Sequence, residues 1–166
     1  MSEHAQIRIP QPVKPYPLEG YWLPGDAEKL LEWSSVSQRM AEARNYWIAT
    51  TNPDGRAHVV PVWGVWLDST LHFGGSPDTR WARNLLQRPY VVVHLDDSVN
   101  AVILEGTVTR LTDPDSEQMT RIDDAYEAKY DMRHGPPISM LHLHKALAWT
   151  TMDWATRWVF EESETP

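Results

Sequence analysis

The fold of this chain is set by W-I-A-T-T-N-P-D-G-R-A-H-V-V-P-V-W-G at residues 47–64 and by L-H-F-G-G-S-P-D-T-R-W-A-R-N-L at residues 71–85. A third stretch, V-I-L-E-G-T-V at residues 102–108, lies close behind them. Three strand-like runs therefore surround a turn that leads into a helix. This combination predicts a β-barrel that holds a phosphate-bearing ligand at a helix N-terminus, where free N–H groups and positive partial charge gather.

The first stretch predicts two strands joined by a tight turn. Residues 46–51 are strand-like, N-P-D-G at residues 52–55 is a hairpin signal, and residues 57–67 predict one long strand. Both faces of the long strand are largely apolar, so we expect one face to fill the barrel and the other to meet a ligand or partner subunit. Pro61 removes a ladder donor there, which indicates an edge or bulge with backbone groups free for a ligand.

The second stretch predicts a strand at residues 70–74 and a helix that starts at Ser76 and Pro77 and runs to about Gln87. A serine hydroxyl followed by proline is typical of an N-cap and the first helical position. The remaining predicted elements are a helix at residues 26–44, strands at 89–96 and 101–111, a helix from 113–114 to about 130, and strands at 138–150 and 155–160.

These elements predict a mainly β fold, a small closed or half-closed antiparallel barrel with a few helices. The alternating rhythm of a doubly wound sheet is missing, and the chain has neither GxGxxG nor GxxxxGK[ST]. Residues 1–25 are rich in proline and are expected to form an extended arm, either disordered or draped over a neighbour. Residues 26–166 are expected to form the single barrel domain.

Composition excludes several classes of protein. The chain has 166 residues, 42% of them hydrophobic, which suits one domain with its own core. A formal net charge of −8 opposes a nucleic-acid or anionic-membrane partner. The absence of cysteine excludes disulfides and thiolate metal sites. No stretch has membrane-spanning length and the N-terminus lacks signal-peptide order, so we expect a cytoplasmic protein.

The segment from Gly74 to Arg80 is the best candidate site. Arg80 and Arg83 would add charge-assisted donors whose forks match phosphate oxygens, and the hydroxyls of Ser76 and Thr79 would complete the cradle. The alternative is an ordinary capped helix with solvated arginines, and the negative charge of Asp78 counts mildly against a dianionic ligand.

Other candidate residues have simpler interpretations. His142 and His144 share a strand face, but a metal site needs three or four ligands, so hydrogen-bonded histidines are favoured over a metal. Arg157 is read either as a cap over a ligand or as a core or interface residue in a salt bridge. Glu105 is expected to pair with an arginine, because an unpaired buried carboxylate is costly. No catalytic residue and no hydrolytic machinery is predicted.

With T-R-W-A-R-N-L, V-I-L-E-G-T-V and the terminal A-T-R-W-V-F, residues 32–160 resemble the pyridoxamine 5'-phosphate oxidase-like split β-barrel family, and its flavin/deazaflavin oxidoreductase branch in particular. The resemblance implies a Greek-key, split antiparallel barrel that forms a homodimer and binds FMN or the deazaflavin coenzyme F-420 in a groove between subunits. Some members of the family bind haem or bilins. The cofactor contacts that it implies, with the candidates above, are Val60, Pro61, Val62, Trp63, Gly75, Ser76, Thr79, Arg80, Trp81, Arg83, Asn84 and Arg157.

One position departs from the family pattern. Many cofactor-binding members have Arg-Lys where this chain has Arg80-Trp81. Trp81 loses a phosphate-binding charge but offers a plane for stacking, which leaves FMN and deazaflavin both open. The sequence therefore predicts an oxidoreductase acting on a small organic substrate, with a non-catalytic flavin-, haem- or bilin-binding protein as the alternative.

Overall fold

The computed structural model describes residues 7–15, 30–150 and 155–161. Within these ranges the chain forms three helices and eight strands. The helices are α1 (Trp33–Glu42), α2 (Arg80–Gln87) and α3 (Ser116–Tyr130). The strands are β1 (Tyr46–Thr51), β2 (Ala57–Val62), β3 (Gly64–Leu67), β4 (Thr70–Phe73), β5 (Tyr90–His94), β6 (Val102–Leu111), β7 (Ile138–Ala148) and β8 (Thr156–Val159).

All eight strands belong to one antiparallel sheet that curls into a half-barrel. Its order is β2-β1-β5-β6-β7-β4-β3, and β8 pairs with β7. Strands β2 and β3 therefore lie at opposite ends of the order, yet Trp63 alone joins them in the chain. The sheet has to curl to bring these ends together. This arrangement confirms the predicted mainly β, split antiparallel barrel.

The predicted long strand at residues 57–67 is wrong, because the chain leaves one end of the sheet and joins the other at Trp63. The two halves keep one alternating apolar pattern, so the break leaves no mark in the sequence. The glycine that follows allows the close approach: a Cβ at Gly64 would lie 2.9 Å from the carbonyl oxygen of His72 on β4. The hairpin at residues 52–55 is confirmed by a hydrogen bond from Gly55 N–H to the Asn52 carbonyl (2.9 Å).

Two predicted helix starts also shift. Helix α1 begins at Trp33, and residues 26–29 of the predicted helix lie outside the described part of the chain. Helix α3 is capped by Asp115, whose side chain accepts a hydrogen bond from Gln118 N–H (2.9 Å), so the predicted helix start at residues 113–114 is wrong. An Asp-Pro pair marks the approach to a helix as well as its first turn, so local pattern places the start only within a few residues.

The core contains most of the described tryptophans. Trp158 is fully buried and Trp66 is 9% exposed. Trp33 makes an edge-on contact with Trp158, with ring centroids 5.4 Å apart, and its indole N–H donates to Ser69 Oγ (3.0 Å). Trp63 differs from these residues, because 47% of its side chain is exposed.

Residues 7–15 of the predicted arm lie on the barrel of their own chain. Val13 and Arg157 on β8 exchange two backbone hydrogen bonds of 2.8 Å each. Ile7 and Ile9 pack against the core. The proposed boundary at residue 25 falls outside the described residues. In the described ranges, no helix combines the length and the apolarity needed to cross a bilayer.

His72 on β4 provides a test of the core by pH. It is 6% exposed, its Nδ1 has no hydrogen-bond partner in the structure, and burial lowers its pKa from 6.5 to about 4. Between these values the unfolded chain takes up a proton that the folded chain does not. The free energy of unfolding should therefore be unaffected by His72 above about pH 6.5 and fall by up to about 3 kcal/mol toward pH 4.

Urea unfolding at about pH 7 and about pH 4.5 measures this loss. His72→Leu should remove the His72 share of the difference, whereas His58→Gln, at a half-exposed position, should keep the wild-type difference. An unchanged difference in His72→Leu would mean that other groups account for the acid sensitivity.

Candidate functional site

The loop between β4 and α2 forms a turn before the helix begins. The hydroxyl and the N–H of Thr79 both donate to the Ser76 carbonyl (2.8 and 3.1 Å), and Asp78 N–H donates to Ser76 Oγ (3.3 Å). Helix α2 starts at Arg80, so the predicted N-cap at Ser76 is wrong. The hydroxyl–proline pair there closes the turn instead.

The start of α2 is open to a ligand. Thr79 occupies the N-cap position but makes no side-chain cap hydrogen bond. The first N–H groups of a helix have no partner within the helix, so they remain available to an acceptor from outside. The structure thus has a helix start without a side-chain cap next to the Gly74–Gly75 loop, and its role as a ligand site stays a prediction.

Arg80 and Arg83 project from the first turn of α2 and are exposed. Within the described ranges, neither side chain has a salt bridge or hydrogen bond. Arg80 lies near the tip of the β1–β2 hairpin. The pKa of Asp54 is lowered there mainly by hydrogen bonds with Arg56, and Arg80 adds a smaller attraction. Two guanidinium groups are therefore free beside the helix start.

Asn84 connects α2 to the β1–β2 hairpin. It is 3% exposed, and its Nδ2 donates to Thr50 Oγ1 (3.0 Å) and to Asn52 Oδ1 (3.1 Å). Arg88 adds a hydrogen bond to the Asn52 carbonyl (2.8 Å). The amide nitrogen of Asn84, predicted near the phosphate, is thus used within the protein. It holds the helix start and the strand pair in a fixed relation.

Trp81 lies beneath the loop. It is 8% exposed and packs against Phe73, with ring centroids 5.6 Å apart. A Cβ at Gly75 would lie 3.0 Å from the Trp81 ring, so the glycine lets the loop rest on the indole. The adjoining cavity has a volume of about 40 Å³, which is room for a water molecule rather than a ring. In this chain the Trp81 ring faces inward, and its role as a cofactor contact stays a prediction.

Strand β2 presents the second half of the predicted site. Among the described strands it pairs only with β1, so its other edge has no strand partner there. Val59, Pro61 and Trp63 are exposed, while Val62 is buried and Val60 is half-buried. The edge position predicted from the proline is confirmed. An apolar rim beside free backbone groups suits one face of a planar ring.

Three residues of α3 that sequence reasoning missed hold the corner at the end of β2. Tyr126 donates from its hydroxyl to the Trp63 carbonyl (3.2 Å), and Lys129 Nζ donates to the Gly64 carbonyl (2.8 Å). The Tyr130 hydroxyl accepts from Gly64 N–H (3.0 Å). Their spacing of three and four residues places them on one helix face, the only local signal that they act together.

Lys129 is an unusual group for such a corner. Its ammonium also donates to the Tyr46 hydroxyl (3.0 Å) and lies 4.6 Å from the centroid of that ring. Burial, and to a lesser degree the charge of Arg44, lowers the pKa of Lys129 to about 8. Burial, followed by Tyr130, raises the pKa of Tyr46 above its usual range, so this phenol stays neutral and can accept the hydrogen bond.

Arg157 lies on β8, which pairs with β7. It is half-buried on β8, where its backbone pairs with Val13. The structure thus brings the β1–β2 hairpin and α2 together through Asn84. The predicted role of Arg157 over a ligand stays a prediction.

The remaining candidates are accounted for by local contacts. Glu105 pairs with Lys145 (2.7 Å) rather than the expected arginine, and it accepts a hydrogen bond from the Tyr90 hydroxyl (2.9 Å). His142 and His144 are hydrogen-bonded to threonine hydroxyls of β6. In the part of the chain that the structure describes, no three candidate metal ligands come together.

Fold and site together define a protein of the split β-barrel class. The chain belongs to the pyridoxamine 5'-phosphate oxidase family, whose family model matches residues 35–156. The family resemblance read from the sequence is thereby confirmed. No curated protein matches the chain in sequence.

Several solved structures share the fold at low sequence identity. A conserved hypothetical protein from Mycobacterium tuberculosis is 18% identical with a TM-score of 0.61, and the match covers 76% of this chain and 89% of that one. A FAD-binding protein from Mesorhizobium loti is 17% identical with a TM-score of 0.59, and the match covers 79% of this chain and 96% of that one. A haem-binding protein from Mycobacterium smegmatis is 14% identical with a TM-score of 0.62, and the match covers 78% of this chain and 58% of that one. At such low identity these likenesses show the fold and no more.

The Asn84 contacts generate a prediction. Asn84→Ala removes both hydrogen bonds to the hairpin and leaves Thr50 Oγ1 and Asn52 Oδ1 without them, so we expect a loss of about 1–3 kcal/mol of unfolding free energy. Gln87→Ala, at an exposed position of the same helix, should change stability by less than about 0.5 kcal/mol. Denaturant unfolding of both variants measures the difference, and equal stabilities would contradict the structural role of Asn84.

Proposed function

We propose that this protein is an oxidoreductase that holds FMN or the deazaflavin coenzyme and transfers hydride to or from a small organic substrate. One observation carries the proposal: Arg80 and Arg83 have no salt bridge or hydrogen bond in the described ranges, and they flank a helix start beside the open edge of β2. The family to which the chain belongs supports the choice of cofactor class.

The start of α2 has the properties that a phosphate needs. Its first N–H groups are free, its dipole is positive at this end, and Arg80 and Arg83 supply charge-assisted donors. The protein as a whole carries a net charge of −8, so these two unpaired cations create a local site that bulk charge does not. The Gly74–Gly75 loop keeps the backbone close and free of side chains.

The open edge of β2 is the proposed seat of the flavin-type ring. Pro61 and Val59 offer apolar surface, and the unpaired backbone beside them offers hydrogen-bond acceptors and donors. Asn84 fixes this edge relative to α2, so ring and phosphate contacts are positioned by one rigid unit. The bound cofactor would supply the hydride chemistry, while the chain supplies binding, orientation and exclusion of water.

A second copy of the chain is part of the proposal. Exposed apolar side chains such as Val59, Tyr90 and Val159 suit a subunit contact. We therefore propose a homodimer with the cofactor between the subunits and Arg157 closing the groove from one of them. The cytoplasmic location read from the sequence stays a prediction.

A non-catalytic role is the second candidate. The β2 edge and the α2 start bring together no acid–base pair in the described ranges, which is equally compatible with a protein that stores or senses a flavin, haem or bilin. Turnover separates the two: the reduced cofactor should be reoxidised by an added acceptor faster with the protein than without it. Equal rates would favour storage.

Arg80→Ala tests the phosphate contact. Loss of a charge-assisted hydrogen-bond donor should weaken retention of FMN or deazaflavin by about ten- to a hundredfold. Equilibrium dialysis or fluorescence titration with each cofactor measures it. Arg121→Ala removes an arginine of α3 that pairs with Asp68 in the β3–β4 turn, and it should leave retention unchanged. Wild-type retention by Arg80→Ala would overturn the site.

Asp78→Asn tests the electrostatics of the same site. Asp78 is exposed two residues before α2, where its negative charge opposes a phosphate. Its neutralisation should tighten binding of a phosphate-bearing cofactor about two- to fivefold at low ionic strength, with the gain shrinking as salt is added. Weaker binding, or a gain independent of salt, would contradict a phosphate at this helix start.

A further inference from the structure

The Trp63 side chain forms a platform at the end of β2. Its ring is stacked on Tyr130 with centroids 4.7 Å apart and planes 4° from parallel. Tyr130 is 8% exposed, and its hydroxyl donates to the Arg44 carbonyl (2.5 Å) and accepts from Gly64 N–H (3.0 Å). One face of the indole is thus held by a fixed ring, while 47% of the side chain stays exposed. Such a preformed face binds another planar group with little ordering cost.

Two cations lie behind this stack. The Arg44 guanidinium carbon is 5.7 Å from the Tyr130 ring centroid, and Lys129 Nζ is 5.3 Å from it. The pKa of Lys129, lowered to about 8, still leaves the ammonium charged at neutral pH. The Tyr130 ring therefore contacts both the Trp63 indole and the two positive charges.

Neither cation has a carboxylate partner in the described ranges. Every salt bridge found there involves other side chains. The chain has 23 acidic against 15 basic residues, so partners for a lysine and an arginine are plentiful. Lys129 is half-buried without such a partner, so burial penalises its charged form, whereas Arg44 is exposed. A ligand charge would offset that cost.

We propose that the exposed face of Trp63 binds a planar, conjugated monoanion, such as an aromatic carboxylate, and that this anion is the substrate of the oxidoreductase. The substrate role rests on the proposed function, whereas the binding site itself stands on the geometry of Trp63, Tyr130, Arg44 and Lys129. The platform continues directly from the β2 edge, so a group stacked there lies beside the proposed ring seat.

The positive charges of Arg44 and Lys129 determine whether the site favours an anion or a cation. An aromatic face alone attracts cations, but that attraction is modest at exposed sites. Two whole positive charges, within roughly a Debye length of the indole, repel a cation and attract an anion. A planar anion can stack on the Trp63 ring and is also attracted by the two positive charges.

The probe for the test is 2-naphthoate, with the neutral 2-naphthamide as its matched control. Fluorescence titration of the full-length protein without cofactor should show the carboxylate binding at least about fivefold more tightly than the amide at low salt. Trp63→Leu should weaken binding of both probes about three- to tenfold, and Trp63→Tyr should restore much of the loss because a ring is retained.

The charge variants separate the two parts of the site. Arg44→Gln and Lys129→Met should each reduce the preference for the carboxylate while leaving amide binding nearly unchanged. Lys145→Met, which removes a lysine paired with Glu105, should keep the wild-type preference. Because Lys129 also holds Gly64, near-ultraviolet circular dichroism checks its fold, and the Arg44 variant at an exposed position tests the charge independently.

Proton uptake on ligand binding tests whether Lys129 interacts with the anion, because a lysine with only a structural role would take up no proton when the ligand binds. The groups that face Lys129 are Tyr46 and Tyr130, both neutral near pH 8 because burial raises the pKa of each phenol, and the charged Arg44. A bound anion raises the pKa of Lys129, so binding of 2-naphthoate near pH 8 should take up a fraction of a proton. Calorimetry in two buffers of different ionisation enthalpy measures the uptake, which should vanish in Lys129→Met.

Three results would overturn the proposal. Equal affinity for the carboxylate and the amide would contradict the preference for an anion. Unchanged affinity in Trp63→Leu would contradict binding on the Trp63 ring. Competition between 2-naphthoate and added FMN or deazaflavin would assign this face to the cofactor ring, whereas simultaneous binding supports a substrate. The Arg80→Ala protein should bind 2-naphthoate normally, so a failure of the cofactor site is distinguishable from a failure of this one.

Discussion

The closure of the sheet at Trp63 and Gly64 is the contact on which the rest of the structure depends. Strands at opposite ends of the sheet are joined there by a single residue, so their backbone groups cannot all find ladder partners. Buried peptide groups need hydrogen bonds, and α3 supplies them through Tyr130 and Lys129. The absence of a side chain at Gly64 lets β3 and β4 approach closely enough for this to happen.

The same corner also supports the surface that we propose as a ligand site. A neutral donor would satisfy the Gly64 carbonyl as well as Lys129 does, without the penalty of burying a charge. The choice of lysine, with Arg44 nearby, gives the end of β2 a positive field that the acidic chain lacks elsewhere on average. Structural support and the proposed recognition of an anion thus involve the same corner of the fold.

The sequence was informative where the determining forces are local. The hairpin at residues 52–55 and the edge position of Pro61 follow from backbone chemistry, and both are present in the structure. The start of α2 was misplaced because serine followed by proline closes a turn as readily as it caps a helix. The break between β2 and β3 at Trp63 leaves the alternating apolar pattern intact, so the sequence predicts one strand instead of two. The corner formed by α3 depends on residues more than sixty positions apart, and no periodicity reports such a contact.

Trp81 beneath Gly75 restricts how this protein can change. The family resemblance read from the sequence has lysine at this position, but a lysine here would exchange an indole that fills the space against Phe73 for a flexible ammonium. The loop would lose the surface on which it rests, and the new charge would begin in an apolar environment. A change from tryptophan to lysine at position 81 therefore requires at least two further substitutions, one to refill the space against Phe73 and one to let the lysine point outward. An adaptive path that proceeds by single steps would pass through a loosened loop, so the tryptophan and the glycine above it are expected to be inherited together.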